Sequence, residues 1–170
     1  MKEKGIEDAI NAVESVNAHF GRTVYTLDIF GQVDVEYKER FSQLEKSFPD
    51  YISYGGGIEA NKSVETLKSY FALLFPTYYK GEGFAGTLID AMSAGVPVIA
   101  SDWKYNPEFV VPGKTGVIIK NCNAERLAEE LINIAAAPEK WNSMRLSALK
   151  ESEKYKPDIA ARPLIDRING

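Results

Sequence analysis

The groups best placed to do chemistry are two carboxylates, Glu82 and Asp90, with seven residues between them. Gly81, Gly83 and Gly86 punctuate the stretch around the first. A helical pattern, Thr87-Leu88-Ile89 through Ala91 and Met92, carries the second. Glycine at such a turn supplies either φ > 0 or room for a ligand to approach the backbone. The N–H groups around 85–88 open a helix and lack partners inside it, and the helix dipole adds positive potential there. Together they would hold an anion, flanked by the two carboxylates. Taken singly, each residue has a plainer reading. Glu82 is then a loop charge, Asp90 a helix-surface residue, and Gly83 and Gly86 a tight turn.

Strands on either side fix that turn in space. Leu73, Leu74 and Phe75 make a short apolar run stopped by Pro76, which suits a strand buried on both faces. The helix stops at Gly95 with Pro97 just beyond, and Val98, Ile99 and Ala100 form the next buried strand. Strand and helix alternate along the whole chain without repeats, which predicts an α/β fold. The expected architecture is a Rossmann-like parallel sheet with right-handed crossovers and helices on both faces. Ligands of such folds bind at the carboxyl ends of the strands, where the turn at 82–87 and the loop after Tyr54 both fall.

The block GEGFAGTLIDAMSAGVPVIASD resembles the signature of the C-terminal, donor-binding domain of retaining glycosyltransferases with the GT-B fold, the "glycosyl transferases group 1" family. That family reads Glu-Gly-Phe-Gly, four variable residues, Glu-Ala, then Gly-x-Pro-Val-Ile-Ala-Ser/Thr-Asp. Glu82, Gly83 and Phe84 match the opening, with Ala85 in place of the usual Gly. Asp90 stands where the second Glu sits, so Glu-x7-Glu has become Glu-x7-Asp. Ala91, Gly95, Pro97, Val98 and Ser101-Asp102 agree, and the match runs on through Pro107-Glu108 and Gly113 to Gly116. A lone Gly-rich loop is weak evidence. This concatenation over about thirty residues is strong.

The resemblance implies roles residue by residue. Glu82 would hold the hydroxyls of the transferred sugar as the catalytic carboxylate, and Asp90 would accept hydrogen bonds from the ribose. Main-chain groups of Gly83, Phe84, Ala85, Gly86 and Thr87 would touch sugar and diphosphate. Tyr54, Gly56 and Ile58 match an aromatic-x-Gly-x-Val loop beside the nucleotide base. Lys4, in Lys4-Gly5, would reach the diphosphate. The implied reaction moves a hexosyl group, with retention, from a nucleotide-diphospho-sugar to a glycan or lipid-linked acceptor in cell-surface polysaccharide biosynthesis. The nucleotide sugar is a substrate, so no cofactor and no metal is expected. The alternatives are a non-catalytic nucleotide-binding or scaffold half that pairs with a separate chain, a flavodoxin-like binding domain, and a nucleotide-sugar epimerase.

Length and composition bound the rest. At 170 residues the chain is one domain, whereas a two-domain GT-B enzyme needs roughly twice that. By resemblance, residues 1–170 are the nucleotide-sugar-binding domain alone, with terminal helices over about 138–170. The N-terminal acceptor domain is absent, and the sheet starts just after its first strand. Such a fragment is expected to be inactive alone, to partner the N-terminal domain of the same enzyme, and to self-associate through an open sheet edge. A net charge of −4 advertises no nucleic-acid partner. One cysteine, Cys122, and one histidine, His19, leave no Cys- or His-based metal cluster. No stretch is long and apolar enough for a membrane span, and the polar amino end does not read as a signal peptide. The expected location is cytoplasmic, peripheral at the inner face of the membrane.

Other elements follow from pattern. Ile6, Ile10, Val13, Val16 and Phe20 share a helix face. Strands are expected over 23–30, 51–54 and 117–119. Helices are expected over 37–47, 62–70, 124–137 behind an Asn123 cap, and 138–155, with an amphipathic segment over 157–168.

Overall fold

The computed structural model describes residues 1–169. A 3-10 turn, Lys2–Lys4, leads into α1 (Ile6–Phe20). Then come β1 (Leu27–Phe30), α2 (Lys38–Glu45), β2 (Ile52–Gly56), α3 (Ser63–Leu67) and β3 (Leu73–Phe75). The second half runs α4 (Gly86–Ser93), β4 (Val98–Ser101), α5 (Asn106–Phe109), β5 (Gly116–Ile119), α6 (Ala124–Ala136) and α7 (Pro138–Ser152). Two short helices, α8 (Pro157–Ala160) and α9 (Arg162–Asn169), complete it. All strand pairs are parallel, and they form two sheets, β1-β2 and β3-β4-β5. The expected Rossmann-like arrangement, parallel strands under helices on both faces, is present.

The period of two along the strands sorts the core. Leu74, Ile99, Val117 and Ile119 face α1, α6 and Trp141 of α7. Leu73, Phe75, Val98, Ala100 and Ile118 face α4 and Ala148 of α7. The β1-β2 pair rests on α1 and α2 through Ile10, Ile29, Tyr37, Phe41 and Ile52. Apolar residues on both faces of β3-β4-β5 are what a doubly covered parallel sheet requires. Trp141, 1% exposed, anchors the join between helices and sheet. Its ring lies 5.9 Å from that of Phe71, and its indole N–H donates to the Phe71 carbonyl at 3.0 Å.

Several boundaries differ from the pattern-based expectation, each for a local reason. Regular β1 begins at Leu27, not Thr23. The buried side chain of Asn17 takes the preceding backbone groups: its Oδ1 accepts from Val24 and Tyr25 N–H at 2.8 and 3.0 Å, and its Nδ2 donates to the Tyr25 carbonyl at 2.9 Å. Strand β2 runs on through Gly55 and Gly56, so those glycines belong to the ladder; Gly31 N–H closes it on the Gly56 carbonyl at 2.8 Å. Helix α3 is shorter than 62–70. Its end tightens into 3-10 bonds from Ser69 and Tyr70 N–H to the Thr66 and Leu67 carbonyls, and the Tyr70 hydroxyl reaches away to Asp28 at 2.9 Å.

The two sheets do not meet. A groove of about 1120 Å³ separates β1 from β3. The apolar residues of β3 are only half-buried, whereas every residue of β4 is buried. Replacing Trp141 by Ala removes a large side chain from the contact between α7 and the sheet. The substitution is expected to cost about 3–5 kcal/mol in urea unfolding, the range for an aromatic-to-alanine core truncation; a loss below about 1 kcal/mol would remove Trp141 from the core.

Candidate functional site

The site is built from the carboxyl ends of β3 and β4. Pro76 ends β3, and Thr77 behind it is 1% exposed. Ser101, closing β4, donates its hydroxyl to the Thr77 carbonyl, and Asn106 at the start of α5 donates Nδ2 to the Ser101 carbonyl at 3.1 Å. Trp103 donates its indole N–H to the Tyr79 carbonyl at 2.7 Å. These bonds hold the loop before α4 against the neighbouring strand. Every buried polar side-chain atom among the described residues has a partner, as a native core requires.

Glu82 lies on that platform. Its side chain is 9% exposed, accepts the Thr77 hydroxyl at 2.8 Å and accepts from Lys4 Nζ at 3.0 and 2.8 Å on its two oxygens. The Lys4 ammonium also lies 4.9 Å from the Tyr79 ring centroid, within cation–π range. Gly5 makes that placement possible. It sits at φ 75°, and a Cβ there would lie 2.2 Å from the Pro76 carbonyl oxygen, so no other residue fits without moving the turn. Tyr78 N–H donates to the Glu3 carbonyl at 2.8 Å, tying the amino-terminal turn to the same loop.

The anion-binding geometry departs from expectation in detail. Gly86 N–H folds back on the Phe84 carbonyl at 3.1 Å, and Leu88 N–H takes the Ala85 carbonyl at 2.9 Å. The free donors are therefore not the whole run 85–88. Among the described residues, the N–H groups of Gly83, Phe84, Ala85 and Thr87 donate to no protein acceptor. The tight first turn of α4 consumes two donors and leaves its neighbours without a protein acceptor among the described residues. Neither Gly83 nor Gly86 has positive φ, and a Cβ at either would meet open space. Room for approach, rather than backbone strain, is what these glycines provide.

The remaining predicted residues fall around this centre. Asp90 is half-buried on α4, one turn in from its start, and its carboxylate has no hydrogen-bond partner among the described residues. Phe84 is 70% exposed and edge-on to Phe109, ring centroids 5.3 Å apart. Tyr54 is structurally occupied: its hydroxyl donates to the Gly31 carbonyl at 2.7 Å and its ring stands 4.8 Å from Phe41. Gly56 has φ 75°. Lys4, Tyr54 and Thr87 all line the groove, while Glu82 meets them only through Lys4. Thr77, Asn106 and the Trp103–Tyr79 bond were not identified from sequence, because their roles are set by long-range hydrogen bonds that no local pattern marks.

The family model described as "Glycosyl transferases group 1" matches residues 1–151. The chain belongs to that family. One relative is the "UDP-N-acetylglucosamine--peptide N-acetylglucosaminyltransferase GtfA subunit" of Streptococcus gordonii, 32% identical over 118 residues, or 69% of this chain and 22% of that protein. Another is a "GDP-mannose-dependent monoacylated alpha-(1-6)-phosphatidylinositol monomannoside mannosyltransferase" of Corynebacterium glutamicum, 27% identical, covering 81% of this chain and 36% of that protein. The chain thus spans about a third or less of the length of most curated relatives it matches. In structure it is similar to Anabaena Alr3699/HepE in complex with UDP, with TM-score 0.82 and 15% identity over 99% of this chain and 46% of that one. It is also similar to the C-terminal domain of the group 1 glycosyl transferase LpcC from Francisella tularensis, with TM-score 0.76 and 19% identity over 92% and 82%. These two likenesses show the fold.

Thr77→Val keeps the shape of the side chain and removes the hydroxyl. Glu82 loses a donor and Tyr79 N–H loses its acceptor, at 3.2 Å. The expected cost is about 1–3 kcal/mol of stability, read by denaturant unfolding. An unchanged midpoint would show that Lys4 alone satisfies Glu82.

Proposed function

We propose that this domain binds the nucleotide-diphospho-sugar donor of a retaining glycosyltransferase. The observation that carries the reading is the juxtaposition of unpaired N–H groups at 83–85 and 87 with the Glu82–Lys4–Thr77 cluster at the ends of two parallel strands. Glu82 would accept hydroxyls of the transferred sugar, and the free N–H groups with Lys4 would hold the diphosphate. The bond that breaks joins the sugar's anomeric carbon to a diphosphate oxygen, so negative charge grows on the departing phosphate. Fixed donors and a helix start stabilise that charge without reorganising. Asp90 would take the ribose, and the Tyr54–Gly56 turn the base.

The acceptor, glycan or lipid-linked, would be met by an N-terminal domain of the same enzyme, in cell-surface polysaccharide synthesis at the inner face of the membrane. Family membership supports this, as do relatives named for peptide, poly(glycerol-phosphate) and phosphatidylinositol mannoside acceptors. No helix among the described residues is long and apolar enough to cross a membrane. A metal is not required by this reading, in which Lys4 and backbone donors supply the positive potential. The relatives' names contain both UDP and GDP donors, so the reading extends to a nucleoside diphosphate sugar as a class.

Asp90 gives the discriminating test. Aspartate is one methylene shorter than the family's glutamate, which sets its carboxylate back by about 1.5 Å on an unmoved helix. Calorimetry of the 170-residue chain with UDP or GDP, in EDTA, is expected to show weak binding without sugar transfer. Asp90→Ala should weaken binding by about 1.5–3 kcal/mol, the range for a hydrogen bond to a charged group. Inorganic diphosphate, which has no ribose, should be held almost as before, and Asp90→Glu should match or improve on the parent. Equal losses for both ligands, or none, would make Asp90 a surface residue; transfer by the isolated chain would overturn the half-enzyme reading.

A further inference from the structure

The ring of Tyr79 stands at the centre of the site, yet none of the donor contacts described above uses it. The residue is tied down on both sides of its backbone. Its N–H donates to the Thr77 hydroxyl oxygen at 3.2 Å, and its carbonyl accepts the Trp103 indole N–H at 2.7 Å. The side chain is wedged as well. A Cβ on Gly81 would lie 2.6 Å from Cζ of the ring and 2.6 Å from its hydroxyl oxygen, closer than Cβ atoms approach anything. Gly81 does not have positive φ, so the ring beside it, and not its backbone conformation, is what calls for glycine there.

The Lys4 ammonium lies over this fixed ring, 4.9 Å from its centroid, while Glu82 holds the same ammonium at 2.8 and 3.0 Å. The two partners act differently on a cation. A carboxylate neutralises the charge and takes N–H donors. An aromatic face attracts the cation through its quadrupole and adds no net charge. With Glu82 alone, Lys4 would be half of a neutral pair with little pull on an arriving phosphate. Sugar hydroxyls that donate to Glu82 would also share the lone pairs that hold the lysine. An ammonium is strongly hydrated and rides a flexible four-carbon stem, so a loosened Lys4 would turn towards water. The ring opposes that motion without competing with a phosphate for the charge.

We infer that Tyr79 is the positioning residue for Lys4: its ring seats the ammonium and thereby sets the affinity of the site for the donor's diphosphate. Tyr79 acts through Lys4 and does not itself touch the ligand. The inference rests on the reading of Lys4 as a diphosphate ligand.

The test is calorimetry of the 170-residue chain with inorganic diphosphate. Tyr79→Leu keeps apolar bulk against Gly81 and removes the ring. It is expected to weaken binding about three- to thirtyfold, the span of cation–π contacts from exposed to desolvated. Tyr79→Phe restores the ring and with it the affinity. The Lys4→Ala chain still offers the backbone donors at 83–85 and 87. In that background Tyr79→Leu should cost nothing further, because its effect runs through the lysine. Should Tyr79→Leu fail to fold, phenylalanine and pentafluorophenylalanine in place of Tyr79 give the same comparison. Their shapes are similar and the fluorines reverse the quadrupole, so affinity should fall when Lys4 is present and hold when it is not. Unchanged affinity on losing the ring or reversing its quadrupole would overturn the inference and leave the donor reading standing. An equal loss with and without Lys4 would also overturn it, since Tyr79 would then shape the loop and seat no cation. A parent chain that binds no diphosphate would overturn the donor reading, and this inference with it.

Discussion

A carboxylate that is nine-tenths buried must be compensated, and the compensation of Glu82 organises this molecule. Its partners come from opposite ends of a long sequence separation: Lys4 from the amino-terminal turn and Thr77 from the exit of β3. Each is itself held. Lys4 is placed by Gly5, pressed on the Pro76 carbonyl, and Thr77 is gripped by Ser101, which Asn106 grips in turn. Removing one partner of a buried pair leaves a charge without compensation, typically costing several kcal/mol. The cluster therefore fixes where α1 starts and where the Gly-rich loop stands, and the sheet's carboxyl edge becomes a rigid platform.

This arrangement changes how Lys4 can act. An ammonium has three N–H donors, and the Glu82 carboxylate takes two of them. A third remains for an arriving anion, so the lysine can meet a phosphate without first abandoning Glu82. Holding a flexible four-carbon side chain in advance also removes rotamer entropy that a ligand would otherwise have to overcome. The exposed Phe84 and the unpaired N–H groups beside it are a different kind of surface, an aromatic ring edge-on to Phe109 next to backbone donors without protein acceptors among the described residues.

Much of this was legible in the sequence because strong local signals agree with the fold. The run 73–75, stopped by Pro76, and the helix stopped at Gly95 are patterns with a single reading, and both elements formed there. The acidic pair and the glycines marked the loop. Long-range pairings could not be read. Nothing in the order of residues says that Lys4 bonds a carboxylate 78 positions away, or that Asn17 claims the backbone of Val24 and Tyr25 and shortens β1. Periodicity reports which face a residue buries, and hydrogen-bond partners are decided afterwards by packing. The fate of the 85–88 donors was equally hidden, because a tight first turn and a regular one have the same sequence signature.

A sheet in two pieces raises the question of what holds the pieces in place. Backbone bonds do not, since β1 and β3 share none among the described residues. The helices do it instead. Helix α1 contributes Ala9 and Val13 to the cluster over β3-β4-β5 and Ile10 to the cluster over β1-β2, and Leu27 packs against both clusters. On the opposite face, Tyr70 bridges the gap through its bond to Asp28 and its edge-on contact with Phe30, 6.0 Å between centroids. Apolar burial is non-directional and falls off gently with displacement, whereas a ladder of hydrogen bonds fixes register. The two half-sheets are thus held near each other by forces that tolerate a change in their spacing. The site at the ends of β3 and β4 carries its own bonded platform and does not share that freedom, but the Tyr54–Gly56 turn does, because it rides on the β1-β2 piece. The distance between the Tyr54–Gly56 turn and the loop before α4 is set by helix packing and the Tyr70–Asp28 bond, and not by a ladder of backbone hydrogen bonds between β1 and β3.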